Sequence, residues 1–224
     1  TKFNPMDFSL LVTDEAHHST ADSYRKVIKY YQQNPNLKHL GVTATPDRTD
    51  EEALGQIYQS VAYEYDIREG IQDGWLVDVH WKPVYVKGLD YSNISIVAGE
   101  LNKGQLAEEL ERHENLHQMA EPVIKETGDK KTLIFTISVV QAEKFAEILN
   151  RWKPDSTRWV CGETDEDERA NIFNDYHLGR FQYLVNVGGA TEGFDEPGIE
   201  YVVLGRPTKS RALCAQMIGR GTRT

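Results

Sequence analysis

The sequence has little cysteine and no long apolar run. Its 224 residues include only two cysteines, Cys161 and Cys214, whose spacing matches no metal-binding pattern and implies no disulfide. We therefore expect two buried thiols in a reducing, cytoplasmic compartment. No apolar stretch approaches the roughly 20 residues that a membrane-spanning helix needs, and no signal peptide opens the chain. These absences favour a globular protein without a membrane partner.

The sequence also contains no phosphate-binding loop of the form Gly-x-x-x-x-Gly-Lys-Ser/Thr. Such a loop needs a strand before it and a helix after it, so that backbone amides converge on phosphate. The nearest match, residues 128–132 (GDKKT), leads into a predicted strand instead. The chain as it stands is therefore not expected to bind a nucleotide through such a loop.

The charge of the sequence is distributed unevenly. The net charge is −10, which by itself argues against nucleic-acid binding. Residues 201–224, however, contain no acidic residue and five basic ones, Arg206, Lys209, Arg211, Arg220 and Arg223. A local basic surface matters more for phosphate binding than the total charge does.

Strand patterns alternate with helix patterns along the chain. Apolar runs predict strands at 8–13, 39–43, 79–86, 132–137, 157–160, 182–187 and 201–204. Helical spacing of apolar residues predicts helices at 24–31, 69–73, 116–124, 142–149, 164–177 and 210–218. This alternation is typical of α/β folds with parallel sheets. The first strand, 8–13, is expected to be buried.

The pattern divides the chain into two α/β units. We predict a first domain at 1–87, a connector or exposed insertion at 88–112, where periodicity is weak, and a second domain at 113–224. Within the second, Ser138 and Gln141 resemble a capping box, and Thr164 is the expected cap of a later helix. Pro122 either kinks its helix or places the true start later.

Two adjacent carboxylates follow the first predicted strand, in the segment Asp14-Glu15-Ala16-His17. Ligands of open α/β sheets bind at the carboxyl ends of strands. There Asp14 could hold magnesium through water, and Glu15 could orient or deprotonate a water that attacks a γ-phosphate. Carboxylates at a helix start are the alternative interpretation, but the apolar strand directly before them favours the site.

Residues 14–17 resemble motif II of the superfamily-two helicases in its DEAH form. The longer stretch 14–24 is similar to the branch that contains type I and type III restriction-enzyme motors and repair helicases. The resemblance implies an ATP-driven motor of two RecA-like domains, with ATP in the cleft between them and magnesium as cofactor. In that family the phosphate-binding loop lies upstream of motif II. We therefore expect a truncated first domain and a nearly complete second one.

Thr43-Ala44-Thr45-Pro46 follows the second predicted strand and resembles motif III, which in the family links hydrolysis to movement along nucleic acid. Small hydroxyl side chains suit this task because they can bond to a neighbouring carboxylate and rearrange at low cost. His17 is the expected partner. Without the preceding motif, the same residues would indicate only a turn before proline.

Thr191-Glu192-Gly193-Phe194-Asp195 resembles motif V, which in the family contacts both the nucleic-acid backbone and the nucleotide. The resemblance assigns Thr191, Glu192 and Gly193 to nucleic-acid binding, where glycine lets the backbone approach closely. Gly193 and Asp195 are assigned to the nucleotide. The alternative is a surface turn.

Residues 216–223 (QMIGRGTR) resemble motif VI, in which arginines neutralise charge on the γ-phosphate. Arg220 and Arg223 are assigned to this role, with Arg223 as the arginine finger. Gln216, expected to position water or ATP, stands where many RNA-helicase relatives carry histidine, which favours DNA over RNA. Phe135, at the place of motif IV, is a candidate nucleic-acid contact or a core residue.

The predicted function is an ATP-dependent DNA helicase or translocase motor, present as a fragment that alone is expected to be inactive. One alternative is a non-catalytic nucleic-acid-binding scaffold, which the absent loop supports. Another is the motor of a restriction or repair complex that translocates without unwinding. The truncation further predicts exposed apolar strands in the first domain, and residues 1–80 less stable than 115–224.

Overall fold

A computed structural model of the protein describes residues 3–43, 54–97, 99–188 and 194–223. The chain divides into two units, residues 1–66 (the first unit) and residues 67–224 (the second unit). Within the described residues, no helix combines the length and apolar character that a membrane crossing requires. The predicted domain boundaries at residues 87 and 113 stay predictions.

The first unit contains the predicted β-α-β arrangement. Strand β1 (Leu10–Thr13) pairs in parallel with strand β2 (Lys38–Gly41), and helix α1 (Asp22–Tyr31) connects them. Two 3-10 turns, Pro5–Asp7 and Ala16–Thr20, lie on either side of β1. The turn before β2 is fixed by Asn34, whose side-chain amide donates to the carbonyl of Phe8 at 2.8 Å.

The prediction that the first strand is buried was wrong. Leu10 and Val12 are 51% and 54% exposed, and Leu40 and Val42 on the neighbouring segment are 43% and 50% exposed. Alternate residues of a strand share one face of the sheet. One face of this two-stranded sheet is therefore apolar and open to solvent, which agrees with the expected exposure of apolar strands.

The second unit is built on a four-stranded parallel sheet in the order β6-β7-β5-β8. Its strands are β5 (Thr132–Thr136), β6 (Thr157–Val160), β7 (Tyr183–Val187) and β8 (Tyr201–Leu204). Residues of β5 are buried throughout, as expected for a parallel strand that is covered on both faces.

Helices cover both faces of this sheet. Helices α4 (His113–Thr127) and α5 (Val139–Trp152) pack against a cluster that includes Ile134 and Val185. Helices α6 (Glu166–His177) and α7 (Arg211–Gly219) contribute to the cluster on the opposite face, which includes Leu133 and Leu184. Adjacent residues of β5 thus serve opposite cores, and the second unit has three layers.

Helix ends in the second unit partly follow the sequence predictions. Ser138 caps α5, since its hydroxyl accepts from the amide of Gln141 at 3.0 Å. Helix α6 is capped by Asp165, whose carboxylate accepts from the amides of Asp167 and Glu168, rather than by Thr164, whose hydroxyl accepts from the amide of Cys161 at 2.9 Å. Helix α4 continues through Pro122 instead of starting after it.

The structure corrects two further predictions. Residues 79–86 form no strand; the nearest pairing joins Leu76 to Arg223, with the amide of Val77 donating to the carbonyl of Thr222 at 2.9 Å. Their alternation satisfies the pattern of a strand, but a strand also needs a paired neighbour. Residues 88–112, expected to be a connector, contain the antiparallel pair β3 (Ile96–Val97) and β4 (Glu100–Leu101) and helix α3 (Lys103–Leu110). Helix α2 (Ile67–Gln72) lies where a helix was predicted.

Candidate functional site

In the first unit, the carboxylates Asp14 and Glu15 lie at the carboxyl end of β1. Glu15 has a left-handed backbone conformation, with φ 48° and ψ 50°, which turns the chain sharply away from the strand. The Asp14 carboxylate accepts from the amide of Glu15 at 2.9 Å, and the amide of Ala16 donates to the carbonyl of Val42 at 2.9 Å. Both acidic side chains are exposed on this turn.

The segment that resembles motif II meets the segment that resembles motif III within the first unit. His17 Nδ1 lies 3.0 Å from Thr43 Oγ1 and 3.3 Å from a carboxylate oxygen of Glu15. His17 thus connects the acidic turn after β1 to the residue that follows β2. Ala44 and Thr45, the other predicted coupling residues, lie outside the described residues.

A polar network that the sequence reasoning missed lies beneath this turn. Thr13 Oγ1 lies 2.8 Å from His39 Nε2, and the His39 ring packs on Tyr58, whose hydroxyl lies 2.9 Å from Ser19 Oγ. Burial lowers the pKa of His39 below its ordinary value of 6.5, which favours the neutral ring. Polar side chains inside apolar strands were the available signal. Thr13 and Ser19 are buried at 9% and 0% exposure.

In the second unit, Arg220 and Arg223 converge on the segment that resembles motif V. Arg220 Nη1 donates to the carbonyl of Phe194 at 2.8 Å, and Arg223 forms an ion pair with Asp195. The Phe194 ring stacks on Phe173 with centroids 4.3 Å apart. Packing from one side and arginine contacts from the other therefore fix residues 194 and 195.

A buried carboxylate anchors the same segment one residue later. Glu196 is 4% exposed and accepts from Lys131 at 3.0 Å, from His177 at 2.9 Å and from the amide of Gly198 at 3.1 Å. Burial alone would raise the pKa of Glu196, but these hydrogen bonds outweigh it and lower the pKa below its ordinary value of 4.5. Sequence reasoning did not single out Glu196. A second carboxylate, directly between Asp195 and Pro197, was the only signal.

The remaining predicted site residues of the second unit differ in their placement. Gln216 lies half-buried on α7. Phe135 is 5% exposed and belongs to the core cluster beside Leu133, so we assign it to packing and drop it as a nucleic-acid contact. Thr191, Glu192 and Gly193 lie outside the described residues.

The donor set at Asp14 suits magnesium. Carboxylate oxygens are hard ligands, and magnesium usually keeps several water molecules while it binds one or two protein carboxylates. Among the residues that the structure describes, no three histidine, cysteine or acidic side chains come together as a metal-binding group. Both cysteines are free thiols, with Cys161 buried and Cys214 half-buried.

Two family profiles match the chain. The helicase conserved C-terminal domain matches residues 111–224, and the res subunit of type III restriction enzymes matches residues 1–48. The first match contains the segments that resemble motifs V and VI, and the second contains the acidic turn after β1.

Curated relatives and a solved structure agree with these matches. IRC3 of Saccharomyces cerevisiae, whose name describes an ATP-dependent helicase, is 31% identical over 99% of this chain and 33% of its own length. The type I restriction enzyme EcoAI endonuclease subunit of Escherichia coli is 26% identical over 98% of this chain and 30% of its own length. The chain therefore spans about a third of the length of these relatives.

The structural comparison concerns the fold. An HsdR subunit fragment of a type I restriction enzyme from Vibrio vulnificus YJ016 matches with a TM-score of 0.70 and 22% identity, over 99% of this chain and 42% of that one. This likeness confirms the predicted α/β architecture with RecA-like parallel sheets. Because the helicase profile matches half of the residues and the restriction-motor profile matches the start, the chain belongs to the superfamily-two helicases, in the branch that includes restriction-enzyme motor subunits.

Proposed function

We propose that the protein is the motor region of an ATP-dependent DNA translocase or helicase. The observation that carries the proposal is the pairwise meeting of the motif-like segments. His17 joins the acidic turn to Thr43 in the first unit, and Arg223 pairs with Asp195 in the second. Groups assigned to the nucleotide or its magnesium are thus linked, within each unit, to a second segment that hydrolysis could move.

We assign the first steps of hydrolysis to the first unit. Asp14 would hold a magnesium ion, which supplies positive charge to the phosphates when it is bound. Glu15 would accept a proton from the attacking water. His17, in contact with both Glu15 and Thr43, would pass a change at Glu15 on to the segment after β2.

We assign charge neutralisation to the second unit. Arg220 and Arg223 would stabilise charge that develops on the γ-phosphate, an effect that in related phosphoryl transfers is worth roughly 10³–10⁵ in rate. Asp195 pairs with Arg223 in the absence of nucleotide. When ATP binds, Arg223 would leave Asp195 and contact the phosphates. Gln216 would position water or ATP, and Thr191, Glu192 and Gly193 would contact the strand.

We propose that the motor moves along DNA. Gln216 stands where many RNA-helicase relatives carry histidine, and two relatives are named as restriction-enzyme subunits. Contacts would go mainly to phosphates, so sequence specificity would be low. Restriction or repair subunits are the proposed partners.

A non-catalytic nucleic-acid-binding scaffold is the second candidate. The basic stretch at residues 201–224 is compatible with it, because contacts to phosphates need no turnover. The presence of Asp14, Glu15, Arg220 and Arg223 opposes it, because a scaffold has no chemical need for this set.

Magnesium-dependent ATP hydrolysis, with and without single-stranded DNA, tests the proposal. It should be measured on this chain and on the longest natural polypeptide that contains it. We expect DNA-stimulated turnover in the longer protein, and we expect Glu15→Gln and Arg223→Ala to lower kcat by at least roughly 10³-fold. Glu64→Gln, an exposed carboxylate in the first unit, is the control and should leave kcat unchanged.

Turnover in neither protein would favour the scaffold and remove the catalytic roles of Glu15 and Arg223. If turnover is found, a strand-displacement assay beside a triplex-displacement assay separates unwinding from translocation. Displacement of the triplex alone would identify a translocase that does not unwind.

A further inference from the structure

Within the second unit, two carboxylates of residues 88–112 (the connecting segment) bond to hydroxyl groups at the edge of the four-stranded sheet. Glu100 Oε1 accepts from the Thr208 hydroxyl at 3.0 Å. Glu111 Oε1 accepts from the Ser138 hydroxyl at 2.6 Å. All four side chains are half-buried, so these contacts are partly shielded from water.

Both hydroxyls lie at the carboxyl edge of the sheet, where helices begin. Ser138 follows β5 and caps α5. Thr208 follows β8 and accepts from the amide of Ser210, the residue that caps α7. Strands β5 and β8 are neighbours in the sheet. The two carboxylates are therefore seated near the positive ends of two helices, on the edge where open α/β sheets bind their ligands.

The surroundings of Thr208 are basic. Residues 201–224 contain no acidic residue, so the carboxylate that contacts Thr208 comes from a distant part of the sequence. Arg206 is half-buried, and its Nε has no hydrogen-bond partner within the described residues. Lys209 and Arg211 are exposed on either side of the cap. This stretch thus offers hydroxyl, ammonium and guanidinium donors to an anion.

We propose that Glu100 and Glu111 occupy the places of backbone phosphates of single-stranded nucleic acid. In the absence of nucleic acid, the carboxylates of the connecting segment accept hydrogen bonds from the Thr208 and Ser138 hydroxyls. When single-stranded nucleic acid binds, its phosphates accept hydrogen bonds from these hydroxyls in place of the carboxylates, and the hairpin of β3 and β4 is released. The connecting segment is then an autoinhibitory contact, and this inference rests on the proposed nucleic-acid binding.

Binding of a fluorescein-labelled oligothymidylate, followed by anisotropy at several salt concentrations, tests the proposal. The variant Glu100→Gln/Glu111→Gln removes two charges but keeps an acceptor at each position. Glu108→Gln/Glu114→Gln removes two exposed charges from α3 and α4 and has the same net charge. We expect the first variant to bind more tightly than the control by roughly fivefold per carboxylate, because a hydroxyl bonded to a neutral amide oxygen is easier to displace than one bonded to a carboxylate.

Thr208→Val in the Glu100→Gln background should abolish the part of the gain that comes from Glu100, and it should leave the slope of log affinity against log salt unchanged, because no charge is removed. In the unmodified protein, saturating DNA should speed amide exchange in the hairpin, where the amide of Asn102 is bonded to the carbonyl of Ser95 at 2.8 Å.

Equal affinities of the two double variants, or unchanged exchange in the hairpin when DNA is bound, would overturn the inference and leave the proposed function intact. A complete lack of DNA binding by every variant would overturn both the inference and the nucleic-acid part of the proposed function.

Discussion

Glu15 combines a proposed catalytic carboxylate with a backbone conformation that suits glycine. Its φ of 48° is disfavoured for side chains with a Cβ atom by about 1–2 kcal/mol. Strained conformations of this kind are found at functional sites, where surrounding contacts hold them. Here the bonds of Asp14 and Ala16 on either side hold the turn.

The first prediction compares Glu15→Gly with Glu15→Ala. Both variants lose the carboxylate, so their difference isolates the backbone. We expect Glu15→Gly to be more stable by about 1 kcal/mol, since glycine adopts this conformation without strain. Amide exchange of α1 along a urea gradient measures the difference. Equal stabilities would show that the turn stores no strain.

Glu196 makes the stability of the second unit depend on pH. Its folded pKa is lowered below 4.5, because hydrogen bonds from Lys131 and His177 outweigh burial. A lowered carboxyl pKa gives stability that is present above the unfolded value and is lost as pH falls through the folded value. The stabilisation should therefore be complete above pH 4.5 and decline below it.

The second prediction is that Glu196→Gln lowers the free energy of unfolding near neutral pH by about 1–3 kcal/mol and flattens the acid dependence. Tryptophan fluorescence reports on the second unit, because all four tryptophans lie within residues 67–224. Glu114→Gln, an exposed carboxylate in α4, serves as the control. If Glu196→Gln and Glu114→Gln lose stability in acid to the same extent, the acid dependence comes from carboxylates other than Glu196.

At the scale of elements, the turn after α7 depends on close packing. A Cβ atom on Gly221 would lie 2.6 Å from Cγ2 of Val202 on β8, whereas one on Gly219 would meet nothing within 4 Å. Valine is stiff at χ1, so the turn rather than the strand must shift. The turn carries Arg223 to Asp195, and packing on β8 therefore supports the ion pair.

The third prediction is that Gly221→Ala destabilises the second unit and Gly219→Ala does not. Overpacking should make Gly221→Ala less stable by about 1–3 kcal/mol. Gly219→Ala should be neutral or stabilising by up to about 1 kcal/mol, because alanine favours the helix. Urea unfolding followed by tryptophan fluorescence measures both. If Gly221→Ala unfolds at the same urea concentration as the unmodified protein, the contact with Val202 relaxes without cost.

Elements with a strong apolar period were predicted well, and those that depend on partners were not. Strands β5 and β7 lie within the predicted ranges 132–137 and 182–187, because burial on both faces requires an unbroken apolar run. Residues 79–86 have the right alternation but form no strand, since pairing is decided by what lies beside them. The hairpin of β3 and β4 was missed because two-residue strands have no detectable period.

At the scale of the whole molecule, the two units differ in how much core they contain. The first has a two-stranded sheet with an exposed apolar face, while the second has a four-stranded sheet covered by helices on both faces. Stability increases with the apolar area that folding removes from water. A two-stranded sheet is marginal by itself.

The fourth prediction is that residues 1–80 exchange their amides faster than residues 115–224. The protection of β1 and β2 should be lower than that of β5 and β7, because few buried apolar groups must be exposed to open the first unit. Hydrogen exchange with mass spectrometry resolves both regions in one experiment. Equal protection in the two halves would contradict the prediction.

The sequence by itself determined the family, the α/β class and the order of the motif-like segments. These depend on local patterns: strand periods, the acidic turn at Asp14 and Glu15, and the arginines at 220 and 223. The contact of His17 with Thr43 was expected from the resemblance and is present. Tertiary structure alone decided that Arg223 meets Asp195 and that the carboxylates of the connecting segment meet the hydroxyls of Thr208 and Ser138. The reason is physical, since hydrogen bonds and ion pairs between residues far apart in the chain leave no period in the sequence and form only when the sheets bring strand ends together.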